Sequence, residues 1–195
     1  MGELGKMLDF AKKYGWNKYS QNNEDGIIQE IISRIDFATG VAVEFGAADG
    51  VFCSNTAALR EIGWKVYMYD LDNRGNHRVE KKEINENNVN DLPSCDLLSI
   101  DIDGNDYWVW QAYDGEPAVV IIEVNSSIPP DENHVSLERG ASYSAMLLLG
   151  LSKGYFLLCH TGNMIFIKDE YREHFPEVEG NGTNHELYFN RSWLH

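Results

Sequence analysis

Between residues 41 and 124, four short β-rich runs alternate with helical spacing, and this alternation leaves few folds open. Val41-Ala-Val-Glu-Phe45 stops at Gly46, Lys65-Val-Tyr-Met-Tyr69 stops at Asp70, and Leu97-Leu-Ser-Ile-Asp101 runs into an acidic loop. Val119-Val-Ile-Ile-Glu-Val124 is apolar on both faces, as suits a central parallel strand covered on both sides. Helices are predicted from Ser54 to Ile62, where Gly63 follows, and from about Asn105 to Tyr113. Strand, crossover helix and strand in succession predict an α/β fold with a doubly wound, Rossmann-like, mainly parallel sheet. A further helix is predicted over 142–153, ended by Gly154. Tyr155-Phe-Leu-Leu-Cys159 and Met164-Ile-Phe-Ile-Lys168 flank Thr161-Gly-Asn163, a hairpin signal that adds an antiparallel strand at or near one edge.

Two helices are expected ahead of the first strand. Leu4, Met7, Leu8 and Ala11 share one face of a helix over 3–14. Ile27, Ile28, Ile31, Ile32 and Ile35 give a broad apolar face to a helix from Glu24 to Arg34, with Asn22 as its expected N-cap. With no repeat or linker, the chain is expected to be one domain: N-terminal helices over 3–35, a core over 41–168 and an irregular tail over 169–195. The stretch 71–92 is polar and carries no recognisable strand. It holds Arg74, Arg78, Lys81 and Lys82, the densest basic run in the chain, read either as a solvated face or as a site for an anion.

Asp and Glu number 31 against 16 Lys and Arg, a formal charge of −15. Such a surface repels phosphate backbones, so nucleic acid is not expected as a partner. No apolar run reaches the roughly 20 residues of a membrane span, and the start is too charged for a secretory leader. Three scattered cysteines, Cys53, Cys95 and Cys159, form no C-x-x-C pair. A reduced, cytoplasmic setting is expected.

Glu44-Phe-Gly46-Ala47-Ala48-Asp49-Gly50 follows the first strand, and Ser54, Asn55 and Thr56 follow in turn. Glycine lets such a loop turn tightly against a ligand, and a helix start offers N–H groups. Asp70 ends the next strand, where an acid can accept both hydroxyls of a ribose. Loop and acid together suit a nucleoside cofactor. A nicotinamide dinucleotide asks for G-x-G-x-x-G around its pyrophosphate. Here the spacing is G-x-x-x-G, and Glu44 would oppose a pyrophosphate. S-adenosylmethionine is cationic, and Glu44, Asp49 and Asp101 suit it better.

The pattern resembles the class I S-adenosylmethionine-dependent methyltransferases, and more closely their FkbM-like group. The resemblance rests on Tyr19-Ser20-Gln21 with Glu24-Asp25-Gly26, on Val43-Glu-Phe-Gly-Ala47 with Ser54-Asn55-Thr56, on Asp96 through Trp108, and on Val120-Ile-Ile-Glu-Val-Asn125. It runs from about Tyr19 to Ile167. Ala48, the short 71–92 segment and the short loop over 126–141 depart from the family pattern. The resemblance implies a class I methyltransferase fold and O-methylation of a small molecule or saccharide. The residues expected to hold the cofactor are Gln21, Glu44, Gly46, Ala47, Asp49, Gly50, Asn55, Thr56, Asp70 and Asp101. A nicotinamide-dependent oxidoreductase and a catalytically silent binding module are the alternatives.

Asp101-Ile-Asp103-Gly-Asn-Asp106 lies at a strand's carboxyl end. The run fails as an EF-hand, which needs Gly at its sixth position and Glu at its twelfth; Asp106 and Ala112 stand there. Two close carboxylates raise one pKa, so one can act as a general base toward a hydroxyl. Asp103, Glu123 and Asn125 are therefore the expected catalytic residues, with no metal assigned. A magnesium or calcium site built from Asp101, Asp103 and Glu123 is the competing reading. Asp106 reads as a helix first-turn acid. Trp108 and Trp110 read as sheet packing or pocket lining, and His134 as a surface residue.

Overall fold

A computed structural model describes residues 10–129 and 131–178. It is a mixed α/β protein built on one seven-stranded, mostly parallel sheet, with a small two-stranded antiparallel sheet beside it. Along the chain come α1 (Glu24–Arg34), β1 (Val41–Phe45), β2 (Lys65–Asp70), β3 (Val79–Lys81), β4 (Leu97–Ile100), α2 (Asp106–Ala112) and β5 (Val119–Glu123). They are followed by β6 (Val135–Ser136), β7 (Gly140–Ala141), α3 (Tyr143–Ser152), β8 (Tyr155–His160) and β9 (Asn163–Lys168). The sheet order is β3-β2-β1-β4-β5-β9-β8. β1 through β5 pair in parallel, and β9 runs antiparallel to both β5 and β8.

The order follows from burial. β4 and the first four residues of β5 are fully buried, and β9 is buried from Asn163 to Ile167. Such largely apolar runs suit a sheet covered on both faces, and the edge strand β8 is buried likewise from Tyr155 to Cys159. Trp110 of α2 packs edge-on against Tyr155 and tilted against Phe166, so it is a core residue, whereas Trp108 is partly exposed.

Several elements differ from expectation. β3 lies in the stretch that offered no strand. It has three residues, of which only Val79 is buried, too few to leave an alternating signal. The helix expected over 54–62 is a 3-10 helix over Ala57–Ile62, because Ser54, Asn55 and Thr56 are committed to side-chain bonds upstream. The loop over 126–141 contains the β6–β7 hairpin. α1 is capped not by Asn22 but by Asn23, whose backbone is left-handed and whose side chain makes no cap bond. Of the helix expected over 3–14, residues 10–14 are helical and the rest lie outside the described residues. The tail begins with a 3-10 helix over Asp169–His174, and beyond 178 it too lies outside them. The three cysteines are free. Among the described residues no helix is long and apolar enough to cross a membrane.

Candidate functional site

The strand order reverses between β1 and β4, which leave the sheet's middle in parallel with their carboxyl ends side by side. That edge is where an open α/β sheet has room for a ligand. The backbone there is closely fitted. Gly46 has φ +76°, and a Cβ built on it would lie 1.4 Å from the Asp101 carbonyl oxygen, so no other residue fits without moving β4. Ala48 also takes the left-handed conformation, at φ 47°. Its N–H donates to Asp70 Oδ2 at 2.7 Å, and the N–H of Asp72 donates to Oδ1 at 2.8 Å. Each of those oxygens keeps a free lone pair.

A cavity of about 330 Å³ opens at this edge. Gly46, Ala48, Asp70, Asp101 and Asp103 line it, together with Tyr69, Leu71, Arg74, Lys82 and Ile84. A second cavity of about 270 Å³ lies on the far side of Asp103, which lines both. Its wall includes Gly104, Glu123, Asn125, Ser127, Glu138 and Arg139. The β6–β7 hairpin closes it: a Cβ on Gly104 would lie 2.3 Å from the Leu137 carbonyl oxygen, so the hairpin tip rests directly on that glycine.

The carboxylates between the cavities form a compact group. Asp101, Asp103 and Glu123 each offer an oxygen, all within 4.8 Å of one another, near enough for one divalent cation to touch all three. Burial, and then the charge of Glu123, pushes the Asp101 carboxyl well above the ordinary range. Glu123 is also raised, first by burial and then by Asp106 and Asp103. Asp101 and Glu123 share a hydrogen bond that raises the Asp101 carboxyl and lowers that of Glu123. Asp106 stands apart as a backbone anchor, accepting the N–H groups of Ile102 at 2.8 Å and Gly104 at 3.0 Å.

Other expected site residues have different work. Glu44 is buried, and its carboxylate accepts Ser54 Oγ at 2.6 Å, the Asn55 N–H at 2.8 Å and Thr56 Oγ1 at 2.5 Å. It pins the loop from beneath and lines neither cavity. Asp49 Oδ1 accepts the N–H groups of Val51 and Phe52, which holds its carboxyl below the usual range. The helix-start N–H groups expected to greet a ligand are thus already bonded, Asn55 to Glu44 and Thr56 and Ala57 to Ser54 Oγ, while the loop N–H groups of Ala48, Val51 and Phe52 are taken by Asp70 and Asp49. Asn125 Oδ1 takes the Ser127 N–H and hydroxyl, while its Nδ2 donates to the Arg139 carbonyl at 2.9 Å. It braces the hairpin. Ala47 is buried beneath the loop, its N–H donating to the Tyr69 carbonyl. Gly50, at φ +69°, packs against Val79 and Met68. Gln21 is exposed and lines neither cavity. Asn55 is buried, with Nδ2 donating to Ser99 Oγ at 3.1 Å and Oδ1 left without a partner. His134 bonds Ser136 Oγ within the hairpin.

Tyr69 and Ile84 in the first cavity, and Ser127, Glu138 and Arg139 in the second, were not anticipated. Only Arg74 and Lys82 carried a signal, as part of the basic run. Compared with known families and proteins, the chain matches no family model and no curated protein.

Proposed function

We propose that this protein is an S-adenosylmethionine-dependent methyltransferase with a doubly wound, class I architecture, acting on a hydroxyl of a small molecule or saccharide. The observation that carries the reading is the first cavity, in which Gly46, Asp70 and Asp101, drawn from three separate sequence blocks, line one space. The sheet order, with its reversal between β1 and β4 and its antiparallel β9, is compatible with that architecture.

The residues present fit this cofactor. Asp70 has lone pairs left for a ribose diol, the Gly46 backbone lines the cavity, and the acidic wall suits a cation. Bound there, S-adenosylmethionine supplies an electrophilic methyl group on a sulfonium. Asp103 lines both cavities, so an acceptor in the second cavity lies next to the first. Glu123, its pKa raised by burial, is placed to take the proton of an acceptor hydroxyl in the second cavity; a bound S-adenosylmethionine would supply the methyl group to that oxygen and keep the carbon–sulfur electron pair. Positioning across Asp103 does most of the rest.

Thermal shift with S-adenosylhomocysteine and with NADH tests the reading. The first should raise the melting temperature by mass action and the second should not. Asp70→Asn should bind S-adenosylhomocysteine more tightly than Asp70→Ala, since it keeps an acceptor for Ala48. A shift with NADH alone overturns the proposal. Transfer activity lost to a chelator and restored by magnesium would make Asp101, Asp103 and Glu123 metal ligands rather than a base group.

A further inference from the structure

We propose that a third cavity, separate from the two already described, binds a phosphomonoester with a flat apolar body. It has a volume of about 390 Å³ and is lined by Tyr19, Val51, Ala57, Arg60, Glu61 and Arg78. Tyr19 precedes α1, Arg78 precedes β3, and Ala57, Arg60 and Glu61 belong to the 3-10 helix between β1 and β2. None of the six lines either of the other cavities, so the inference does not rest on the methyltransferase reading.

Charge distinguishes this cavity. The first cavity's lining has four carboxyl groups against two cations, and the second has four against one. Here two arginines accompany a single glutamate. That glutamate is already matched: Lys18 Nζ bonds Glu61 Oε2 at 2.5 Å, and the Tyr19 hydroxyl donates to Oε1 at 2.7 Å. The same two bonds hold the Glu61 carboxyl below its usual range. Arg60 is half-buried, and its guanidinium donates to the Gly50 carbonyl at 2.6 Å and contacts Met68 Sδ at 3.2 Å. A guanidinium has five N–H donors, so these two fix its orientation and leave the others free for a ligand. Neither Arg60 nor the exposed Arg78 has an acidic partner among the described residues.

Two uncompensated guanidinium charges on one cavity suit a dianion. A phosphomonoester carries nearly two charges at pH 7 and offers three oxygens that arginine forks take in pairs. A carboxylate brings one charge only. The chain's formal charge of −15 does not cancel the match, because at physiological salt charges beyond about 8 Å are largely screened. The other walls are the Tyr19 ring, held in place by its hydroxyl bond to Glu61, and the side chains of Val51 and Ala57. A ring flanked by small apolar groups suits a flat, apolar body on the phosphate.

Calorimetry on the full chain tests this with phenyl phosphate, inorganic phosphate and benzoate. Phenyl phosphate should bind about tenfold more tightly than either, gaining from its ring over the first and from its second charge over the other. Its affinity should rise from pH 5 to 7.5 as the second phosphate proton, with a pKa near 6, is lost, whereas that of benzoate should change little. Arg78→Gln, a change at an exposed position, should fold normally and weaken phenyl phosphate about tenfold or more. Arg60→Lys, which keeps the charge and loses the fork, should weaken it as well. Arg74→Gln, which alters the first cavity instead, should leave the affinity unchanged. Phosphotyrosine in a short peptide distinguishes the sources of the phosphate: binding as tight as that of phenyl phosphate supports a protein side chain, and weaker binding supports a free small molecule. No detectable binding of phenyl phosphate, an affinity that ignores pH, or wild-type binding by Arg78→Gln overturns the proposal. An equal loss in Arg74→Gln places the anion in the first cavity and overturns it likewise.

Discussion

Replacing Glu44 by alanine should remove much of the protein's stability without touching either cavity. The buried carboxylate takes three hydrogen bonds, from Ser54 Oγ, the Asn55 N–H and Thr56 Oγ1, at 2.5–2.8 Å. In Glu44→Ala the two hydroxyls can turn to other acceptors, but the Asn55 N–H stays buried and unpaired, at about 1–3 kcal/mol. The space left by the lost side chain adds about 2 kcal/mol. A total of about 3–5 kcal/mol is a large part of the roughly 5–15 kcal/mol that holds a domain together. With a urea slope near 2 kcal/mol per molar, the midpoint should fall by about 1.5–2.5 M. Glu44→Gln should cost much less. Its carbonyl still accepts the Asn55 N–H, its amide donates to hydroxyls that reverse, and it avoids burying a charge, the main cause of Glu44's raised pKa. Urea unfolding of both variants, followed by circular dichroism, decides the matter. Equal midpoints for the two would refute the reasoning. So would a stable Glu44→Gln that has lost affinity for S-adenosylhomocysteine, because Glu44 would then be a ligand contact and not a pin.

Asp101 sets the pH dependence. Its carboxyl binds a proton more tightly when folded than when unfolded, with the pKa pushed up to about 8, so its stabilising share is complete below about pH 4 and lost as pH rises towards 8. Melting temperatures across pH 5 to 9 should therefore fall more steeply in wild type than in Asp101→Asn; parallel curves would contradict this. Gly46→Ala should either fail to fold or lose about 3 kcal/mol or more, given the 1.4 Å approach to the Asp101 carbonyl, and ordinary soluble expression with wild-type melting would disprove it. Asn125→Ala should free the β6–β7 hairpin, seen as faster limited proteolysis within 134–141 with little change in global melting.

The sheet was legible because most of its strands are runs of four or more apolar residues, and burial writes itself into sequence only at that length. β3 escaped notice because Val79 alone is buried. The 3-10 helix was mistaken for an α-helix because Ser54, Asn55 and Thr56 look like helix-start residues until their bonds to Glu44 are known. The same gap runs through the site. Residue type and spacing singled out Gly46, Asp70, Asp101 and Asp103, which line one cavity. They could not tell that Glu44, Asp49 and Asn125 spend their polar atoms on nearby backbone and hydroxyl groups. A carboxylate's partners are fixed by tertiary distance, and the hairpin that Asn125 braces is too short, at two residues per strand, to leave a periodic trace.

The position of β9 also has a consequence for the order in which the chain assembles. β9 sits between β5 and β8, and the buried Glu24 of α1 accepts hydrogen bonds from Thr161, 137 residues later, and from Asn163. During synthesis β1, β2 and β4 emerge with their parallel neighbours, but β5 offers a bare edge, apolar over Val119–Ile122, until residue 163 arrives. Pairing that distant is slow, since loop closure precedes its reward. For that interval the nascent chain exposes an aggregation-prone surface, and Glu24 of α1, bonded only to the Asn22 N–H, still lacks the partners that Thr161 and Asn163 supply. Folding yield, more than final stability, should then depend on how soon the β8–β9 hairpin closes.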